Sequence, residues 1–169
     1  MKKHLIEHSK PTLDTVEYKK ILNILKSGQI AQGPQVIKFE TDFSRFMSVK
    51  DAVAVNCGLS ALHLALLALG IGKNDEVIIP SYVCTALFHA VQYVQAKAVN
   101  VDVNLHDGNI SSEAVKRAIT KKTKAIIVAH MFGCPADIQA LKKFKIPIIE
   151  DCAQAIGAKQ QGQLVGGCG

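Results

Sequence analysis

An α/β fold, built on a mostly parallel sheet covered by helices on both faces, is predicted by three features of this 169-residue sequence. From Ala52 onward, short apolar runs alternate with segments of helical period. The apolar runs are continuous rather than every-other-residue, as expected of strands buried on both faces. No repeat, low-complexity tract or linker interrupts the pattern. With 49% hydrophobic and 20% charged residues, the chain has the composition of one soluble globular domain with a sizeable core.

The elements follow in order. In "DTVEYKKILNILKSG", Asp14 is placed as an N-cap with Glu17 three residues on. Ile21 and Leu25 recur at helical spacing, and Gly28 is a stop. The Gly-rich loop "GQIAQGP" leads to a second helix, "PQVIKFETDFSRFM", which sets Val36, Phe39, Phe43, Phe46 and Met47 on one face after Pro34. That aromatic stripe is expected to be core. Five strands are then predicted, "AVAVN", "EVIIP", "KAVNVD", "KAIIVAH" and "IPIIED". Four helices separate them, in "LSALHLALLALG", "VCTALFHAVQYVQ", "SSEAVKRAIT" and "DIQALKKF". Residues 1–33 are read as an N-terminal helix and loop, and residues 34–169 as the main domain.

Composition excludes several functions. The net charge of +6 comes from eighteen lysines and two arginines, scattered rather than clustered, and there is no Trp among only 5% aromatics. Base-stacking platforms are missing, so the charge reads as a solvated surface and nucleic acid is not expected as a partner. The five cysteines, at wide spacing and without a C-x-x-C pair, suit neither a zinc site nor a disulfide framework, and a reducing cytoplasm fits them best. No metal is expected. The N-terminal residues lack an apolar signal region, and "LALLALGI" is too short to span a bilayer, so no membrane partner is expected either.

Parallel sheets bind ligands beyond the carboxyl ends of their strands. After the first predicted strand, "NCGLSALHLAL" places Gly58, Leu59 and Ser60 at a helix start, where backbone N–H groups, a hydroxyl and a missing Cβ form an anion site; an ordinary Ser cap fits equally. The segments "GQIAQGPQ" and "GAKQQGQL" have P-loop glycine spacing without its lysine. After the second strand come Ser81, Tyr82, Cys84 and Thr85, with Cys84 expected as a small buried hydrophobe. His130, at the end of "AIIVAH", is read as a satisfied structural residue. The last strand runs into two acids, Glu150 and Asp151, followed by Gln154. A carboxylate there needs a cationic or hydrogen-bonding partner, from the protein or from a ligand. Asp151 with Gln154 suits a heteroaromatic ligand carrying a protonated ring nitrogen, but on this motif alone a D-x-x-Q capping box is the favoured reading.

Taken together, "SGQIAQGPQVIKFETDF", "NCGLSALHLALLALGIGKNDEVIIPSYVCTA", "HMFGCPADI" and "PIIEDCAQAIGA" resemble the DegT/DnrJ/EryC1/StrS aminotransferases, pyridoxal-phosphate enzymes acting on nucleotide-linked keto sugars. The resemblance runs from about Ser27 to the C-terminus. It implies a fold-type-I large domain, with residues 34–169 as part of it, truncated before its last strands and the small C-terminal domain. It implies pyridoxal 5'-phosphate as cofactor, a nucleotide sugar and an amino-acid donor as substrates, a homodimer when complete, and a place in cell-surface polysaccharide or amino-sugar biosynthesis. By position, Asp151 is similar to the aspartate on the pyridine nitrogen and Gln154 to the glutamine beside the ring oxygen. Gly58, Leu59 and Ser60 match the phosphate-binding turn. Cys84 stands where the family has an aromatic side chain stacked on the cofactor ring. The lysine that forms the Schiff base has no counterpart here, so the chain alone is expected to be inactive. A non-catalytic cofactor-binding or regulatory module, or a gene fragment without function, are the alternative readings.

Overall fold

The computed structural model describes residues 10–169; residues 1–9, read above for a targeting segment, lie outside them. The first helix, α1 (Thr15–Ser27), starts as its sequence directs. Val16 N–H donates to Asp14 Oδ1 at 2.7 Å, and Asp14 N–H donates to Glu17 Oε2 at 2.9 Å, closing the capping box. Gly28 ends the helix in the left-handed region, at φ 72°. The second helix, α2 (Pro34–Met47), has Pro at its first position, where the missing N–H has no role.

Four parallel strands form the sheet: β1 (Glu76–Pro80), β2 (Lys97–Val101), β3 (Thr123–Ala129) and β4 (Ile148–Asp151), in the spatial order β2-β1-β3-β4. Four helices connect and flank them: α3 (Gly58–Ala68), α4 (Ala86–Tyr93), α5 (Ser112–Ala118) and α6 (Ile138–Lys142). Alternate strand residues point to opposite faces, and the core divides accordingly. Val77, Ile79, Ala125 and Ile127 pack with Leu62 and Leu66 of α3 and Leu87 and Val91 of α4. Ile78, Ile126 and Val128 pack on the other face with Val115 of α5 and Leu141 of α6. Both faces are covered, which is why the central strands β1 and β3 are apolar and buried along almost their whole length. A short hairpin, β5 (Lys159–Gln160) and β6 (Gln163–Leu164), follows. It turns at Gln161 and Gly162, both at positive φ, so "GAKQQGQL" is a hairpin and not a phosphate loop.

Two expectations are corrected. "AVAVN" is not a strand: residues 52–56 have no ladder partner among the described residues, and Val53 is 78% exposed. Its sequence favours a strand, but a strand exists only where a neighbour accepts its backbone bonds. Here one such bond goes to a side chain, Ala54 N–H donating to Glu40 Oε1 at 2.8 Å. The α2 stripe is only partly core. Met47 is buried, whereas Phe39 and Phe46 are more than half exposed, because no element among the described residues covers that side of the helix.

Because the strands are parallel, the loops after β1, β2, β3 and β4 all emerge at one end of the sheet. That end carries the candidate residues.

Candidate functional site

The first component is the start of α3. Its N-cap, Cys57, makes no capping hydrogen bond of the usual side-chain-to-backbone kind, and the first-turn N–H groups of Gly58, Leu59 and Ser60 have no acceptor within the helix. Apart from its chain neighbours and its own helix backbone, no atom lies within 4 Å of where a Gly58 Cβ would be. The Ser60 hydroxyl lies 3.4 Å from Cys57 Sγ. That hydroxyl, with the Ser60 and Leu59 N–H groups, draws the Cys57 thiol below its ordinary value, so this helix start favours negative charge. The open space and first-turn N–H groups without helical acceptors fit a phosphate.

The second component is the end of β4. No helix begins there: residues 153–157 form turns, and Asp151 does not cap a helix. Asp151 Oδ1 accepts from Ala153 N–H at 3.0 Å, while among the described residues Oδ2 has no partner. Gln154 is exposed. Its Oε1 accepts from Phe132 N–H at 3.1 Å, which turns the amide so that Nε2, a donor, is left for a ligand. One free acceptor and one free donor, three residues apart in sequence, fit a ring that donates through one atom and accepts through another. Leu59 and Ile149 pack against the same core cluster, which sets the α3 start and the end of β4 on one side of the sheet.

Glu150 faces the other way and finds its partners in the protein. Its side chain is 2% exposed and that of His130 is fully buried; His130 Nε2 lies 3.1 Å from Glu150 Oε2. Gly166 N–H donates to Oε2 at 2.8 Å and Cys168 N–H to Oε1 at 2.7 Å. Burial pushes the Glu150 carboxyl up, but the bonds from His130, Gly166 and Cys168 outweigh it and hold the group below its ordinary value. His130 is structural, as expected. Burial, with the Glu150 and Asp151 carboxylates and Cys168 nearby, pushes the Cys152 thiol up to about 12, which removes it as a nucleophile.

Cys84 departs from expectation: it is exposed in the loop after β1, because Val83 beside it takes the inward position against the core. In the same region the Tyr82 and Phe132 rings lie 6.3 Å apart. Phe132 and Asn109 are the residues that reading the sequence missed. Phe132 sits at φ 53° and ψ 30°, a left-handed conformation disfavoured for an aromatic, and is 71% exposed. The Met-Phe-Gly turn after His130 was a legible turn signal, but nothing in it marks Phe132 as the residue that grips Gln154. Among the described residues no cluster of His, Cys, Asp or Glu could hold a metal ion.

The parallel sheet with helices on both faces is the large-domain fold of the fold-type-I pyridoxal-phosphate transferases. The chain belongs to the DegT/DnrJ/EryC1/StrS aminotransferase family, whose profile matches residues 11–169. That family depends on pyridoxal phosphate. Among solved structures, the chain is similar to 3-amino-5-hydroxybenzoic acid synthase (TM-score 0.87, 36% identity), covering 94% of this chain and 43% of that one. It is similar to an aminotransferase from Psychrobacter cryohalolentis (TM-score 0.88, 36% identity), covering 92% and 41%. It is also similar to GDP-4-keto-6-deoxy-D-mannose-3-dehydratase of E. coli, solved with hydrated pyridoxal phosphate bound (TM-score 0.87, 29% identity), covering 94% and 43%. The chain spans less than half the length of these relatives.

Proposed function

We propose that this chain is the cofactor-holding part of an enzyme that transfers an amino group from an amino-acid donor to a nucleotide-linked keto sugar. The observation that carries the reading is the unfilled pair at the end of β4, Asp151 Oδ2 and Gln154 Nε2, in a chain of this family. Pyridoxal phosphate, when bound, supplies an electron sink for carbanion chemistry. The residues do the rest. Asp151 accepts the pyridine N–H and holds the proton there by its opposite charge. Gln154 Nε2 donates to the ring oxygen. Gly58, Leu59 and Ser60 bind the phosphate through backbone N–H groups and a hydroxyl. Cys84, small and exposed in the loop after β1, leaves the ring face open on that side.

No lysine is hydrogen-bonded or ion-paired to Asp151, Gln154 or Ser60 among the described residues; Lys38 pairs with Asp42 and Lys97 with Glu76. On the family resemblance, in which no lysine of this chain stands in the Schiff-base position, we assign this chain binding and orientation of the cofactor, and assign covalent attachment to a residue outside it. Amino transfer is preferred to dehydration because the family whose profile matches residues 11–169 is an aminotransferase family. A second copy of the chain as partner is supported by the exposed apolar residues of α1 and α2, among them Leu22, Leu25, Phe39 and Phe46. Five free cysteines support a reducing cytoplasm.

The test joins the chain to the C-terminal remainder of the Psychrobacter aminotransferase and follows 15N from an amino acid to a nucleotide-linked keto sugar. Transfer is expected, and Asp151→Asn should keep the fold while slowing it roughly 10- to 1,000-fold, the factor set by the ~1 to 3 pKa units a contacting carboxylate is worth. A chimaera that binds pyridoxal phosphate but moves no nitrogen, or an Asn variant at full rate, would sink the reading.

A further inference from the structure

The buried His130 lies outside the chemistry described so far, yet its bonds lead to Gln154. Ala136 N–H donates to His130 Nδ1 at 3.0 Å, so Nδ1 presents its lone pair and the ring hydrogen sits on Nε2, donating to Glu150. The imidazole thus clips the far end of the 131–136 turn back onto the end of β3. Inside that turn Phe132 and Gly133 are both left-handed, at φ 53° and φ 81°. A strained aromatic backbone persists only where its surroundings fix it. Three groups do so. His130 closes the turn. Buried Asn109 accepts from Met131 N–H at 3.0 Å and donates to the Cys134 carbonyl at 3.2 Å. Gln154 Oε1 accepts the Phe132 N–H. That N–H is aimed at Gln154 because Phe132 is left-handed, and it dictates which end of the amide faces outward.

We propose that His130 is a positioning residue: by accepting the Ala136 N–H it holds the 131–136 turn in the conformation whose Phe132 N–H orients the Gln154 amide, leaving Nε2 directed at the ligand. The proposal rests on the reading of Gln154 as donor to the ring oxygen of pyridoxal phosphate. His130 itself touches no ligand.

Two mild substitutions separate the two bonds of the imidazole. His130→Asn keeps an oxygen near the Nδ1 position, able to accept from Ala136, and loses the reach to Glu150. His130→Gln keeps the reach to Glu150 and loses the acceptor for Ala136. Two readouts apply to the 169-residue chain: protection of the Phe132 amide in hydrogen exchange, and the ratio of affinities for pyridoxal phosphate and 3-deoxypyridoxal phosphate. The wild type should prefer pyridoxal phosphate about tenfold, the size of one hydrogen bond to a charged acceptor. His130→Asn should retain both the preference and the protection. His130→Gln should lose both, with affinity for the deoxy probe unchanged. Equal behaviour of the two variants, whether both keep or both lose, overturns the proposal. If the wild type shows no preference, or Gln154→Ala leaves the preference intact, the cofactor reading of Gln154 fails, while the exchange readout still decides whether His130 holds the turn.

Discussion

Adjacent residues at the end of a strand point to opposite faces, and Glu150 and Asp151 divide their roles on that basis. Glu150 turns inward to three donors supplied by the protein; Asp151 turns toward the loops with one oxygen unpartnered among the described residues. The inward acid has a consequence in acid. Its folded pKa lies below the ordinary 4.5, so near pH 4.5 the unfolded chain binds more protons than the folded one. The stability Glu150 contributes is complete above that value and is lost as pH falls through the lower folded pKa. In Glu150→Gln one amide N–H₂ must face a backbone N–H of Gly166 or Cys168, a donor against a donor. We expect a loss of about 3 kcal/mol at neutral pH, typical of breaking a buried charged network, with the gap to wild type closing below pH 4.5. Urea unfolding across that range measures it. A gap independent of pH would mean that the carboxylate is not the source. The two acids were legible as a problem in the sequence, but the partner was not. His130 is 20 residues away, and no local pattern links the two.

At the scale of elements, α3 shows what a helix start contributes when no side chain caps it. Its apolar residues anchor it through Leu62 and Leu66, so its open first turn is held by packing elsewhere in the helix. Gly58 is therefore a position where a side chain costs binding and not folding. With nothing beyond its own helix backbone and chain neighbours within 4 Å of the added Cβ, Gly58→Val should change stability by less than about 0.5 kcal/mol. It should weaken pyridoxal phosphate roughly tenfold, by blocking a charge-assisted phosphate contact, and leave pyridoxal unaffected. Paired titrations with the two ligands check this, and equal losses for both would place the phosphate elsewhere. The helices and the four paired strands were legible because each carries its own period and stop signals. Residues 52–56 carry the strand signal equally well, and no sequence rule says whether a neighbouring strand will be present to pair with them.

For the whole molecule, the covered sheet and the open surfaces have different origins. Residues 58–151 bury their apolar periodicity on both faces of the sheet, which is why the alternation of runs predicted the architecture. Residues 10–57 carry equally apolar patterns, yet α1 buries none of its residues, because burial depends on what else is present and not on the pattern itself. The same distinction governs the lysines. Eighteen of them are spread along the chain, and exposed ones such as Lys121, Lys122 and Lys142 sit at the surface away from the strand-end carboxylate. If the covalent step belongs to a residue outside the chain, as proposed, phosphate and ring contacts would provide only non-covalent binding in a site open to water, where each contact is weakened by solvent. Incubating the 169-residue chain with pyridoxal phosphate, reducing with borohydride and mapping peptides by mass spectrometry should give sparse phosphopyridoxyl labelling spread over surface lysines. Stoichiometric labelling of a single lysine, together with amino transfer to a nucleotide sugar, would show that a lysine within these residues performs the covalent step and would overturn the assignment of that step to a residue outside the chain.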